Sequence, residues 1–268
     1  MTSDRNGKGR LTGVVAWVTG GGSGIGAAAA AALGAEGARV VVSGRRADAL
    51  AGVVAGLRDQ GVDAQAEALD VADADAVARA AARIEAKHGA VGLLVCSAGT
   101  NVPNRFWNDS DAASFDRVVG INLSGVAHCV RAVLPGMRAA GGGTIAVVSS
   151  WAGRHYLQFT GPAYGASKAG LGPLVESINA EEGRHGIRAS LVMPGEVATP
   201  ILKSRPVPPS DEEMARMLQP QDVAEVIRFL ATAPAHVCMN EVLVAPTWNR
   251  IYVGGADLVR QGVAPAAV

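Results

Sequence analysis

Short apolar runs alternate with longer alanine-rich stretches along most of the chain. The short runs predict strands at 14–19, 39–43, 63–69, 92–96, 144–149, 188–193 and 241–245. The longer stretches predict helices near 24–36, 47–60, 73–88, 111–140 (with a break), 163–184 and 220–232. Alternation of this kind is typical of an α/β fold, in which helices cover both faces of a doubly wound parallel sheet.

The 268-residue chain shows no linker that would divide it, so we expect one domain over residues 11–252. The polar segment 1–10 lacks the apolar core of a signal peptide and is interpreted as a flexible arm. The small apolar residues 253–268 are interpreted as a tail that either packs on a partner subunit or is mobile. The stretch at about 194–220 contains six prolines, and an irregular segment of that length is usually a functional lid or disordered.

Composition excludes several classes of partner. The formal net charge is zero and no basic run is present, so neither a nucleic acid nor an acidic membrane surface is expected to bind. No uninterrupted apolar run is long enough to predict a membrane span. Cys96, Cys129 and Cys238 are odd in number and far apart, which predicts buried free thiols in a reducing cytoplasm. No zinc-like spacing is present, so we expect no metal.

A glycine-rich loop, Thr-Gly-Gly-Gly-Ser-Gly-Ile-Gly at 19–26, follows the first predicted strand and opens the first predicted helix. This context is the one that a phosphate-binding loop requires, because a helix N-terminus presents free N–H groups and a positive dipole end. The alternative is a glycine-rich turn without a ligand. We predict that the loop binds a dinucleotide through five residues: Gly20, Ser23, Gly24, Ile25 and Gly26.

Two arginines, Arg45 and Arg46, follow the second predicted strand, where a dinucleotide fold usually places an acid for the ribose hydroxyls. A guanidinium matches phosphate geometry, so this pair favours the 2′-phosphate of NADP, with NAD as the alternative cofactor. The alternative is that both arginines are solvated side chains at the start of a helix and contact no phosphate.

Tyr164 and Lys168 stand four residues apart, which places them on one face of a helix. A neighbouring ammonium and an oxidised nicotinamide both favour the phenolate, which makes the tyrosine a candidate general acid/base. Ser150 ends a predicted strand and can hold a substrate oxygen, and Asn122 can order a water toward the lysine. Taken singly, each of these residues is also explained by an ordinary structural role.

Together these motifs resemble the short-chain dehydrogenase/reductase family, in its short single-domain branch, over residues 11–247. The resemblance implies a seven-stranded parallel sheet in the order 3-2-1-4-5-6-7, a homotetramer, and a catalytic tetrad of Asn122, Ser150, Tyr164 and Lys168. It also implies that Asp70 lies near the adenine, Lys168 on the nicotinamide ribose and Thr199 on the carboxamide. The further cofactor-binding residues that it implies are Val71, Ser97, Ala98, Gly99, Pro194, Gly195 and Val197.

The chain departs from the family pattern at three places. Cys96 replaces an asparagine that commonly ties neighbouring strands. Ser150 lies 14 residues before Tyr164, one more than is usual, which leaves open whether Ser149 or Ser150 is catalytic. The ending 240–249 is similar to that of family members that act on small hydroxy acids and related alcohols.

Aromatic residues cluster where the substrate is expected, and four of them are candidate substrate contacts: Trp107, Trp151, Tyr156 and Phe159. Four cationic side chains can bind a carboxylate or can simply be solvated: Arg105, Arg154, His155 and Lys203. The hypothesis from the sequence is a cytoplasmic NAD(P)(H)-dependent oxidoreductase that interconverts a secondary alcohol, small hydroxy acids included, and its carbonyl compound. The alternative is a dinucleotide-binding redox sensor or complex subunit without turnover, which has no need of all four tetrad groups.

Overall fold

The computed structural model describes residues 9–205 and 207–253. Seven strands form one sheet, in which every neighbouring pair is parallel, in the order β3-β2-β1-β4-β5-β6-β7. The strands are β1 Val15–Thr19, β2 Arg39–Gly44, β3 Ala64–Ala68, β4 Val91–Cys96, β5 Gly143–Val148, β6 Ile187–Pro194 and β7 Glu241–Val244. The predicted sheet and its strand order are therefore confirmed. The arm and the tail lie outside the described residues, except for residues 9, 10 and 253.

Helices cover both faces of the sheet. Apolar residues of α1, α2 and α9 pack on one face, and those of α3, α5 and α7 pack on the other. The helices are α1 Gly24–Ala35, α2 Ala47–Asp59, α3 Ala74–His88, α4 Ala112–Val119, α5 Gly125–Ala140, α6 Pro162–Ala169, α7 Leu171–Glu182, α8 Asp211–Ala215, α9 Pro220–Thr232 and α10 Arg250–Val253. Because both faces are buried, the central strands are apolar almost throughout.

Three predicted elements differ from the structure. The stretch 163–184 is two helices, because Pro173 has no N–H to donate to the carbonyl four residues earlier. The fifth strand ends at Val148, so Ser149 and Ser150 lie beyond it. The stretch 194–220 is not wholly irregular, since it contains the 3₁₀ turn Pro200–Ser204 and helix α8, which begins with a capping box.

The predicted break in 111–140 lies at a π-helical turn, Gly120–Ser124, between α4 and α5. The whole run 112–140 is long and apolar enough to cross a membrane by length and composition alone. A buried core helix passes the same test, and α5 supplies buried side chains to the core beside β4 and β5. The run is therefore only weak evidence for a membrane span.

The three cysteines are free, and two of them are buried as predicted. The hydrogen-bonded thiol of Cys129 and burial raise the pKa of Cys96, which keeps it a neutral thiol between the central strands. Cys238 is exposed, so the prediction of burial is wrong there. Its position just before β7 places the sulfur 3.2 Å from Asn240 Oδ1, among polar groups rather than in the core.

Candidate active site

A cavity of about 550 Å³ lies at the carboxyl edge of the sheet, where open α/β sheets bind their ligands. Its walls come from the residues that directly follow six of the strands. One end is lined by Arg45, Arg46 and Asp70, and the other by Tyr164, Arg105 and Ile251. The cavity therefore brings together segments from all parts of the sequence.

The glycine-rich loop forms the floor of this cavity. Gly20 has a φ of 68°, and a Cβ added there would lie 2.7 Å from the backbone nitrogen of Ala98. Gly26 does not line the cavity but lies beneath the loop, where a Cβ would approach the carbonyl oxygen of Gly20 to 2.4 Å. Ser23 precedes α1 as its N-cap and makes no side-chain cap hydrogen bond. Its hydroxyl and the first N–H groups of α1 are thus available to a phosphate.

The other predicted cofactor residues line the same cavity. Arg45 and Arg46 are exposed side chains, and Asp70 accepts a hydrogen bond from the backbone nitrogen of Ala72 at 3.0 Å. The remaining members are Ile25, Val71, Ser97, Ala98, Gly99, Pro194, Gly195, Val197 and Thr199. This arrangement fits a dinucleotide with an additional phosphate. It offers a glycine backbone too tightly packed for side chains, a helix N-terminus and two arginines.

Ser150 and Ser149 have different partners. The side chain of Ser150 lines the cavity with Tyr164, whose pKa it lowers, and it accepts a hydrogen bond from the backbone nitrogen of Ala152 at 3.1 Å. Ser149 is buried, and its hydroxyl donates to the carbonyl oxygen of Lys168 at 2.9 Å. The chain thus directs Ser150 toward the tyrosine and Ser149 toward the backbone of α6.

Burial raises the pKa of Tyr164, while the hydrogen bond from Ser150 and the charges of Arg205 and Arg105 lower it. The sequence alone attributed that lowering to Lys168 and to an oxidised nicotinamide. In the structure, the Nζ atom of Lys168 lies 5.9 Å from the Tyr164 ring centroid and donates to the carbonyl oxygen of Val148 at 2.8 Å. Burial lowers the pKa of Lys168 to about 8.

Asn122 is fully buried in the π-helical turn, a feature that is frequent at functional sites. Its Oδ1 atom accepts from the backbone nitrogen of Thr100 at 2.8 Å, and its Nδ2 atom donates to the Thr100 oxygen at 3.0 Å and to Ser167 Oγ at 3.1 Å. A Cβ added to Gly99 would lie 3.6 Å from both Asn122 Oδ1 and Lys168 Nζ. Asn122 and Lys168 therefore flank the same backbone segment.

Only two of the four predicted aromatic substrate contacts line the cavity. Trp151 is buried there, with its ring edge-on to that of Tyr252, and Phe159 also lines the cavity. Trp107 and Tyr156 do not line the cavity and are 80% and 77% exposed. Their loops bring neighbouring residues inward instead, so the structure does not place these two side chains at the substrate end.

The four candidate cations separate in the structure. Arg105 is buried in the cavity wall. Arg154 pairs with Glu241 at 2.9 Å on the surface, the His155 ring lies tilted beside the Trp151 ring with centroids 5.8 Å apart, and Lys203 is exposed.

Several residues of the cavity wall were not predicted from the sequence, among them Arg205, Glu196 and Ile251. Arg205 lines the cavity, is paired with Glu196 at 2.7 Å, and lies 4.9 Å from the Phe159 ring centroid. Ile251 enters from α10. Arg205 and Glu196 lie in the proline-containing stretch 194–220, but nothing in their local sequence pattern distinguishes them from Lys203.

Known proteins share this fold and these motifs. The profile of the family described as short chain dehydrogenase matches residues 14–208. Cis-4-hydroxycyclohexanecarboxylate dehydrogenase of Sinomonas cyclohexanicum is 38% identical over 85% of this chain and 93% of its own length. Glycine betaine reductase ATRR of Emericella nidulans is 35% identical over 89% of this chain, which spans only 19% of that longer protein. A metagenomic short-chain oxidoreductase, solved in complex with NADP, is 36% identical, covers 89% of this chain and 99% of its own, and has a TM-score of 0.77.

A parallel sheet in this order, with a dinucleotide cradle at its carboxyl edge, defines an α/β oxidoreductase of the dinucleotide-binding class. The profile match and the extent of the similarity show that the chain belongs to the short-chain dehydrogenase/reductase family. The resemblance inferred from its motifs is thereby confirmed.

Proposed function

We propose that this protein interconverts a secondary alcohol and its carbonyl compound with NADP(H), and that Tyr164 is the general acid/base. The observation that carries the proposal is that Ser150, Tyr164 and Lys168 line the same cavity as the glycine-rich loop and the two arginines that follow β2. The nucleotide-binding end and the proton-transfer end therefore belong to one continuous space.

When bound, the reduced nicotinamide supplies a hydride to the carbonyl carbon. Ser150 holds the carbonyl oxygen, and the Tyr164 hydroxyl delivers a proton to it, so that the alcohol forms and a phenolate remains. Lys168 and Asn122 flank Gly99 and support the return of a proton to the tyrosine. The charges of Arg105 and Arg205 stabilise the phenolate during this exchange.

The preference for NADP over NAD is part of the proposal. Arg45 and Arg46 line the cavity directly after β2, where a guanidinium can pair with a 2′-phosphate. A similar short-chain oxidoreductase is solved with NADP. We expect the five loop residues and the further cofactor residues named above to bind the remaining groups of the dinucleotide.

The substrate is proposed to be small, since the cavity must hold it together with the cofactor. Cyclic hydroxy acids belong in the first screen, because a relative with 38% identity is named for one. We also propose a cytoplasmic homotetramer with one domain over residues 11–252, as the family resemblance implies. Size-exclusion chromatography with light scattering tests the tetramer.

The test of the proposed function is a screen of ketones, oxo acids and sugars that follows NADPH absorbance, with the wild type and Tyr164→Phe. This substitution removes one hydroxyl, so the rate should fall at least about a hundredfold while cofactor binding is retained. Tyr156→Phe is the matched control, because Tyr156 is exposed and does not line the cavity.

Near-normal turnover in Tyr164→Phe would remove this tyrosine from the mechanism. Binding of NADPH without turnover of any compound in the screen would favour the redox-sensor alternative. Equal losses in the two tyrosine variants would show that the effect is not specific to the cavity.

A further inference from the structure

The end of the cavity near Tyr164 carries an excess of positive charge. Among the cavity-lining residues that the structure describes, the charged side chains at this end are Arg105, Lys168, Arg205 and Glu196. Three are cations and one is an anion. Charges in such a low-dielectric site act more strongly than at the surface, so this end favours an anionic group on a bound molecule.

Arg105 is held in this wall by close backbone packing. Its side chain is among the buried charged groups of the protein, with the whole residue 5% exposed. Gly161 has a φ of 75°, and a Cβ added there would lie 2.2 Å from the carbonyl oxygen of Arg105. The loop is tied again where Asn101 Nδ2 donates to the oxygen of Thr160 at 2.9 Å. A cationic side chain held in the wall of a ligand cavity attracts an anionic group on the ligand.

Arg205 is the second cation, and two neighbouring side chains hold its guanidinium in position. Its guanidinium pairs with Glu196 at 2.7 Å and lies 4.9 Å from the Phe159 ring centroid. Glu196 is itself buried, and its other oxygen lies 3.8 Å from Arg250 Nε. The carboxylate of Glu196 therefore neutralises part of the positive charge of Arg205 and Arg250. Arg205 still lines the cavity.

Arg105 and Arg205 line the same cavity as Tyr164. We propose that the substrate carries a carboxylate and that Arg105 and Arg205 bind it, which makes the substrates small hydroxy acids and the corresponding oxo acids. A planar guanidinium fork matches a carboxylate bidentately. This inference rests on the proposed function for the reaction, and it adds the substrate class and the two residues that select it.

The test measures binding, so that it does not depend on turnover. Calorimetry on the NADP-saturated protein compares cyclohexanecarboxylate with cyclohexanecarboxamide, which has nearly the same shape without the charge. The carboxylate should bind about tenfold tighter or more, as expected for a charge-assisted contact. Arg105→Gln and Arg205→Gln should each bring the ratio of the two affinities close to one, and Arg105→Lys should restore part of it.

Lys203→Gln is the control for a general loss of positive charge. Lys203 is exposed and stands two residues before Arg205, so the ratio of the affinities should stay within about twofold of the wild type. Thermal melts and NADP titrations show which variants fold. If Arg105→Gln does not fold, the wild-type ratio and Arg205→Gln decide the question.

Equal binding of carboxylate and amide by the wild type would overturn the inference. An unchanged ratio in both arginine variants would overturn it as well, and so would cyclohexyl phosphate if it bound tenfold tighter than the carboxylate. If neutral alcohols are turned over and the carboxylate binds no tighter than the amide, the proposed function stands and the carboxylate site does not. A carboxylate preference without turnover of any alcohol or ketone would leave the carboxylate site standing and remove the proposed function.

Discussion

We propose that the choice of cofactor depends on two exposed arginines, and the variant Arg45→Ala tests this proposal. Arg45 and Arg46 directly follow β2 and line the end of the cavity beside Asp70. A charge-assisted hydrogen bond contributes about 1.5–3 kcal/mol. Because both side chains are exposed, solvent screens the contact, and we expect the lower value of about 1.5 kcal/mol for Arg45 alone. That value corresponds to roughly a tenfold loss of NADP affinity.

The assay is a paired titration of NADPH and NADH by fluorescence, with the wild type, Arg45→Ala and the double variant that also carries Arg46→Ala. NADH lacks the 2′-phosphate, so its affinity should change little in either variant. The double variant should lose roughly a hundredfold in NADPH affinity if the two contacts add. Higher salt should weaken NADPH more than NADH in the wild type, because the contact is a screened ion pair.

Arg79→Ala is the control, because Arg79 is an exposed arginine on α3 and does not line the cavity. It should change neither affinity. Equal wild-type affinities for the two cofactors would refute the reasoning. An equal loss for both cofactors in Arg45→Ala would also refute it, since the arginine would then act on a group that the two cofactors share.

Two further predictions concern the proton-transfer end of the cavity. Ser150→Ala should abolish most turnover, whereas Ser149→Ala should slow turnover only mildly. Ser149→Ala should also lower the free energy of unfolding by about 1 kcal/mol, because its hydrogen bond to the Lys168 carbonyl is lost. Steady-state rates and urea unfolding test both variants, and the reverse pattern would make Ser149 the catalytic serine. Alcohol oxidation needs the Tyr164 phenolate, so its kcat/KM should rise with pH through the pKa of Tyr164, and carbonyl reduction should fall. Since Arg205 lowers the pKa of Tyr164, Arg205→Gln should move both profiles to higher pH, and unmoved profiles would contradict the assignment.

Much of the fold follows from local patterns. The alternation of apolar strands and alanine-rich helices predicted all seven strands, and the order of the sheet came with the family resemblance. The glycine loop was recognisable because its requirements are local: a preceding strand, residues without side chains and a following helix. Tyr164 and Lys168 were recognisable because a four-residue spacing places two side chains on one face of a helix.

Other features depend on where the elements end and pack. The fifth strand ends at Val148, and only this end directs Ser150 to Tyr164 and Ser149 to the backbone of α6. The sequence left the two serines open, because a shift of one residue along a strand reverses which side chain faces a site. The split of 163–184 depended on Pro173, whose missing donor the pattern of apolar residues does not show.

The charges at the Tyr164 end of the cavity were decided by tertiary structure alone. In the sequence Arg105, Arg154 and Lys203 are equivalent surface-type residues, yet only Arg105 is buried in the cavity wall, and Arg205 joins it from a segment about a hundred residues away. Contacts such as that of Gly161 with the Arg105 backbone set these positions. The sequence by itself determined the fold class and the placement of the tyrosine and lysine on one helix face, because local spacing encodes both. Long-range packing of loops decided which charges line the cavity.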